Sequence, residues 1–240
     1  MKKLVVFIII LMTFGSRANA QVITRHFQLN ENTVVKDSDG TNYPYIVWQK
    51  LLSTGNYTLK AMDPGSDSSP YMLVKLSEAQ KNAMMDRMPR PAESNFFTTG
   101  QKIKLFNVSD IQNKKVRLTD LKDKIIVLNF WFIGCPPCRQ EIPELNKIAL
   151  QYANDPQIIF VAVALDGKRD LFDFLKNNPF GYHIIDDGKE FADLYNINLY
   201  PTNVVLDKEG KVRFHSSGYA FNTAYWITKT IEQAKQTAPN

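Results

Sequence analysis

Cysteine is nearly absent from this chain: its 240 residues include two, Cys135 and Cys138. Histidine is almost as scarce, and His26, His183 and His215 lie far apart in sequence. Structural zinc takes four ligands, commonly from a second C-x-x-C or a pair of histidines, and those are missing. Covalent haem attachment needs C-x-x-C-H, whereas Arg139 follows Cys138. Small exported domains that rely on disulfides use several, and this chain has one possible pair. A two-residue gap also closes a very short loop, so stapling would remove little entropy from the unfolded chain.

Other absences narrow the reading further. There is no internal repeat, no low-complexity tract, and no nucleotide or flavin fingerprint. Charge of one sign is modest. The formal +5 includes Lys2, Lys3 and Arg17 at the extreme N-terminus, with no acid among the first twenty residues. Those residues read as a secretory leader: two lysines, an apolar core from Leu4 to Met12, and Ala18-Asn19-Ala20 as a small-residue cleavage site. Cleavage would start the mature chain at Gln21 and leave +2, which gives no nucleic-acid footprint. The apolar core is short against the roughly 20 residues that span a bilayer. Export to a periplasm-like compartment as a soluble protein is therefore expected, with an uncleaved anchor as the alternative. No cysteine sits near the cleavage site to take a lipid.

What remains divides in two. Residues 21–90 are punctuated by turn chemistry at Asp39-Gly40, Gly55-Asn56, Asp63-Pro64-Gly65 and Ser66 to Pro70. Helices are expected at Tyr45 to Leu52 and from Ser77 to Met88, where Ser77 and Gln80 have capping-box spacing. This makes a small α+β region of unassigned role. It contains Met62, Met72, Met84, Met85 and Met88. Thioethers bind Cu(I), but without cysteine or paired histidine these methionines read as packing or docking material, and no metal is expected. Pro89 to Ser94 reads as a linker.

Residues 91–240 are regular. Ile125 to Trp131 and Ile158 to Ala164 are continuous apolar runs, as expected of central strands covered on both faces. Between them Ile142, Leu145, Ile148 or Ala149, and Tyr152 recur along one helical face. Helices at Lys168 to Asn177 and Lys189 to Tyr195 bracket a short strand at His183 to Ile185. Strands at Asn203 to Leu206 and Val212 to His215 and a helix from Asn222 to Lys235 complete the pattern. The order implies an α/β domain with a central mixed sheet flanked by helices.

Cys135 thus falls just past a buried strand, where a helix begins. Orphan N–H groups and the partial positive charge of a helix N-terminus favour a thiolate there. Pro136 and Pro137 suit the first turn, which needs no N–H donors. Cys138, one turn in and less exposed, can reach back to the first sulfur and resolve a mixed disulfide. Redox chemistry is the reading these residues favour.

The stretch NFWFIGCPPCRQEIPEL resembles the active-site segment of the thioredoxin superfamily, in its exported TlpA/ResA-like branch of thiol–disulfide oxidoreductases. Trp131, the C-x-x-C pair and Pro143 agree with that pattern. Leu199-Tyr200-Pro201-Thr202 looks like the superfamily's cis-proline loop. Residues from about Asp166 to Asn198 resemble the branch's additional strand-and-helix insertion. The resemblance implies a thioredoxin-like fold from about Asn95 onward. It also implies Cys135 as exposed nucleophile, Cys138 as resolving thiol and Glu141 as the active-site acid or base. Trp131, Pro136, Tyr200 and Pro201 would line the substrate surface. Asn129 stands where cytoplasmic relatives keep a buried aspartate. That substitution favours Glu141, one helical turn from Cys138, as proton acceptor. Gly134 and Tyr200 depart from the pattern, and Gly134 would remove an aromatic wall beside the site.

The expected function is reduction of disulfides in specific extracytoplasmic proteins by dithiol exchange. Electrons would come from a membrane dithiol donor, with no cofactor beyond the cysteine pair. Nothing in the sequence sets the oligomeric state. One alternative is a peroxiredoxin-like peroxidase, though Phe132 stands where that class has threonine or serine. Another is a thioredoxin-fold binding or assembly module that keeps the cysteines without turnover.

Overall fold

The computed structural model describes residues 29–66, 69–120 and 124–236. The leader read from the sequence lies outside them. No described helix is long and apolar enough to cross a membrane. The chain forms two compact units, one through Lys75 and one from Leu76.

The first unit is a small sheet with one helix. Its elements are β1 (Val35–Lys36), β2 (Asn42–Tyr43), α1 (Tyr45–Ser53), β3 (Tyr57–Ala61) and β4 (Tyr71–Lys75), in the strand order β2-β1-β4-β3. β3 and β4 form an antiparallel hairpin from Tyr57↔Lys75 to Ala61↔Tyr71. Gly55, at φ 68°, takes the left-handed conformation that ends α1 without a Cβ penalty. Trp48 of α1 is the large buried side chain here and meets Tyr45 edge-on.

In the second unit α2 (Glu78–Arg87) comes first, and Ser77 and Gln80 form the expected capping box. The sequence reading ended the N-terminal region near Arg90, but α2 is fastened to the C-terminal helix of this unit. Lys229 pairs with Asp86 at 2.5 Å, and Asn222 donates to the Pro89 carbonyl at 3.1 Å. Nor does the segment from Pro89 to Ser94 behave as a free linker. Ser217 N–H donates to the Ala92 carbonyl, Ser94 N–H donates to His215 Nδ1, and the Arg90 guanidinium lies 4.3 Å above the Trp226 ring. Its prolines exclude a regular strand yet leave enough donors and acceptors to lie along the strand Val212–Ser217.

The remaining elements are β5 (Asn107–Ser109), β6 (Lys115–Arg117), β7 (Ile125–Trp131), α3 (Pro136–Gln151), β8 (Ile158–Ala164) and α4 (Lys168–Leu175). After these come β9 (His183–Ile185), α5 (Lys189–Leu194), β10 (Thr202–Leu206), β11 (Val212–Ser217) and α6 (Thr223–Gln236). The central sheet has the order β11-β10-β7-β8-β9. β7, β8 and β9 are parallel, and β10 and β11 are antiparallel to their neighbours. This is the expected mixed sheet, with α4, β9 and α5 filling the Asp166 to Asn198 insertion.

The apolar runs are continuous because both faces are covered. Ile125, Val127 and Trp131 join a cluster with Ile142, Leu145 and Ile148 of α3 and Ile227 and Ile231 of α6. Ile126, Leu128 and Phe130 point the other way, to Phe97, Leu118, Ala192 and Tyr195. Side chains alternate along a strand, so this parity decides what lies under α3. Asn129 shares the parity of Val127 and Trp131, and Asn203 that of Val205, both on the α3 face.

Candidate active site

β7 ends at Trp131, and the chain turns through Phe132 to Gly134 into the N-terminus of α3. This turn is held at two points. Ile133 N–H donates to Asp166 Oδ2 at 2.7 Å, and Cys135 N–H donates to the Phe132 carbonyl at 3.1 Å. Asp166 follows β8, whose pairing with β7 brings it beside the turn. In the sequence Asp166 marks only the start of the insertion, and nothing there ties it to this turn.

Cys135 is the N-cap of α3, with extended φ and ψ of −94° and 103°, and its Sγ accepts from Cys138 N–H at 3.2 Å. Sulfur here stands in for the oxygen of an ordinary N-cap, so an orphan helix donor is directed at the attacking atom. Pro136 and Pro137 occupy the first helical positions, as expected. The helix runs on through Pro143 to Gln151. Cys135 and Cys138 are joined as a disulfide. In this oxidised state neither sulfur residue is exposed: Cys135 is 3% and Cys138 1% accessible. The expected exposure of Cys135 is therefore absent in this disulfide-bonded state, although the neighbouring Pro136 is exposed.

Glu141 lies one turn beyond Cys138 on the buried face of α3, 4% accessible. A surface glutamate is ruled out. Asn129 Nδ2 donates to its Oε1 at 2.8 Å, and Asn203 Nδ2 donates to Oε1 and Oε2 at 3.3 and 3.1 Å. The two amides are also bonded to each other, Asn129 Nδ2 to Asn203 Oδ1 at 2.9 Å. Burial disfavours the charged carboxylate and pushes the Glu141 pKa up to about 8, with the two amide donors opposing it. Such a group holds a proton at neutral pH. It also matches a free thiol, near 8.5, closely enough for proton exchange to cost little in either direction. From the sequence Asn203 is expected only to begin a strand, although a polar residue within TNVVL was the available signal for a place in the site.

The Tyr200–Pro201 peptide bond is cis, as the resemblance implies, and it precedes β10, which pairs Thr202 with Phe130 beside the turn. Pro201 is buried, its carbonyl accepting from Gly218 N–H at 2.8 Å, and Tyr200 is half-buried. Trp131, expected on the substrate surface, is fully buried instead. Its ring packs against Phe174 and Phe180, because it is the last residue of a strand whose face α3 and α4 cover. The aromatic wall is also not lost at Gly134. The Phe132 ring stands where a Gly134 side chain would point and meets Tyr200 edge-on, centroids 5.4 Å apart. Leu199, next in the chain to Tyr200, is 52% accessible and extends this apolar rim.

Met62 and Met72 belong to the first unit, and Met84, Met85 and Met88 lie on or beside α2. Among the described residues no cluster of His, Cys, Asp and Glu could hold a metal.

Residues 99–215 match the AhpC/TSA family. The chain is 31% identical over 122 residues to the thiol–disulfide oxidoreductase ResA of Bacillus cereus, covering 50% of this chain and 70% of that protein. It is 31% identical over 116 residues to the thioredoxin-like protein YneN of Bacillus subtilis, covering 48% and 68%. Among solved structures it is similar to a putative thiol:disulfide interchange protein DsbE from Chlorobium tepidum. There the TM-score is 0.52 and the identity 28%, over 57% of this chain and 98% of that one.

Proposed function

Because the chain belongs to the ResA-like family of thiol–disulfide oxidoreductases, we propose that it reduces disulfides of extracytoplasmic proteins through Cys135 and Cys138. The observation behind this reading is a cysteine pair bonded at a helix N-terminus, with a buried, proton-holding carboxyl one turn further along.

In the reduced enzyme the Cys135 thiolate attacks one sulfur of a substrate disulfide. A Cys135–substrate bond forms, and the other substrate sulfur leaves as thiolate. Cys138 then attacks Cys135 Sγ, giving its proton to Glu141, and the second substrate sulfur leaves as thiolate. Two electrons pass to the substrate and the Cys135–Cys138 disulfide is left, with the proton on Glu141. The Cys135–Cys138 bond seen in the structure is the one these steps would leave, and it supports this reading. A membrane dithiol donor would return the electrons by the same exchange in reverse, with the cysteine pair as the sole redox group. Phe132, Leu199, Tyr200 and the exposed Pro136 form the surface a substrate would meet, beside the cis-Pro201 loop.

Equilibration with glutathione buffers tests the direction. Potentials of such pairs range from about −270 mV in thioredoxin to about −120 mV in DsbA, a gap on the order of 7 kcal/mol. A value near the lower end supports a reductase, and one near the upper end makes the protein an oxidant.

The AhpC/TSA match keeps peroxide reduction as a second reading. Against it, Phe132 offers no hydroxyl three residues before Cys135 and is turned to Tyr200. Catalytic peroxide consumption by the reduced protein would favour this second reading.

A further inference from the structure

Asn203 lies opposite Asn129 in the register of β10 and β7, and its side chain is fully buried. Its neighbours Val204, Val205 and Leu206 are apolar and equally buried, so an amide here needs partners to offset its desolvation. Those partners are Glu141, through both carboxyl oxygens, and Asn129. Both hydrogens of Asn129 Nδ2 are committed, one to Glu141 and one to Asn203 Oδ1. Asn203 directs its own N–H groups at both oxygens of that carboxyl, while its Oδ1 is held by Asn129. Those N–H groups favour the ionised carboxylate, and the bond from Asn129 fixes the amide in the orientation that presents them.

We propose that Asn203 is a positioning residue for disulfide exchange: it orients the Glu141 carboxyl toward Cys138 and sets how readily that carboxyl takes and releases the thiol proton. The inference rests on Glu141 as the base of the resolving step. It extends that reading to a residue 62 positions away in sequence, on a different element.

Two variants and two readouts test it. Asn203→Leu keeps the volume and removes the donors, and Asn203→Thr keeps one donor on a strand-favouring side chain. The first readout is the Glu141 titration midpoint in the oxidised protein, followed by 13C NMR of labelled glutamate carboxyls without turnover. The second is the rate at which Cys138 resolves a preformed Cys135 mixed disulfide, measured against pH. Losing bonds to a charged group should raise the midpoint by about one unit or more in Asn203→Leu. The resolving rate at neutral pH should fall about tenfold and recover in alkali, with Asn203→Thr intermediate on both. An unmoved midpoint in Asn203→Leu overturns the role of Asn203 alone. A midpoint that moves while the resolving rate does not overturns that role together with Glu141 as base. If Asn203→Leu does not fold, Asn203→Thr decides: a midpoint raised by about half a unit supports the proposal, and an unchanged one overturns it.

Discussion

Asn129 and Asn203 face each other across β7 and β10, and both direct side-chain N–H groups at the Glu141 carboxyl, from 2.8 to 3.3 Å away. A buried acid is costly when charged, and two neutral donors reduce that cost without cancelling it. The proton acceptor of the proposed reaction is therefore built by three elements, although it belongs to one.

The first prediction concerns stability. In the oxidised protein Glu141 titrates near 8, against an ordinary value of 4.5. Between these values the unfolded chain gives up a proton that the folded one keeps, so this group stabilises the fold at acid pH. That contribution declines as pH rises from about 4.5 to 8, by at most about 4 to 5 kcal/mol. Urea unfolding of the wild type and Glu141→Gln at several pH values should show the decline in the wild type alone. Taking the difference removes groups such as His215, whose pKa burial lowers and whose contribution is lost as pH falls below 6.5.

A second prediction follows from the same group in catalysis. Glu141→Gln should leave attack by Cys135 nearly unchanged and slow the resolving step by about a hundredfold or more, the usual range for losing a positioned base. Stopped-flow oxidation of the reduced variant by a model disulfide should then accumulate a mixed disulfide that the wild type does not.

Much of this arrangement was legible from local chemistry. The bounds of β7 and β8, the apolar face of α3, the capping box at Ser77 and the helix start at Cys135 all follow from periodicity and end signals within a few residues. What escaped depends on register. That Asn203 meets Asn129, or that Asp166 meets Ile133, is decided by which strands pair and with what offset, and no local pattern contains it. The same holds for Pro89 to Ser94, whose composition reads as a linker until β11 is seen to offer it partners. β1 and β2 are two residues long, too short for any alternation to declare them.

The insertion provides a third prediction. Gly188 sits so close to β8 that a Cβ would lie 2.3 Å from Val163 Cγ1 and 2.8 Å from the Ala164 carbonyl oxygen. Gly188→Ala must displace backbone, and thermal or urea unfolding should show a loss of about 2 kcal/mol or more.

A fourth concerns the segment ahead of the redox domain. His215 Nδ1 accepts the buried Ser94 N–H at 3.1 Å. His215→Leu leaves that donor unpaired and should cost about 1 to 3 kcal/mol. Hydrogen exchange should report faster opening at Ser94, and Ala92 to Ser94 should become more sensitive to proteolysis.

The most direct test of the exchange mechanism is trapping. Cys138→Ser leaves Cys135 able to attack and nothing to resolve the product, so a disulfide-bearing protein substrate should remain covalently attached through Cys135 on non-reducing gels. Cys135→Ser should trap nothing under the same conditions. Trapping that requires Cys138 while Cys135 is dispensable, or none with either variant, would contradict the account.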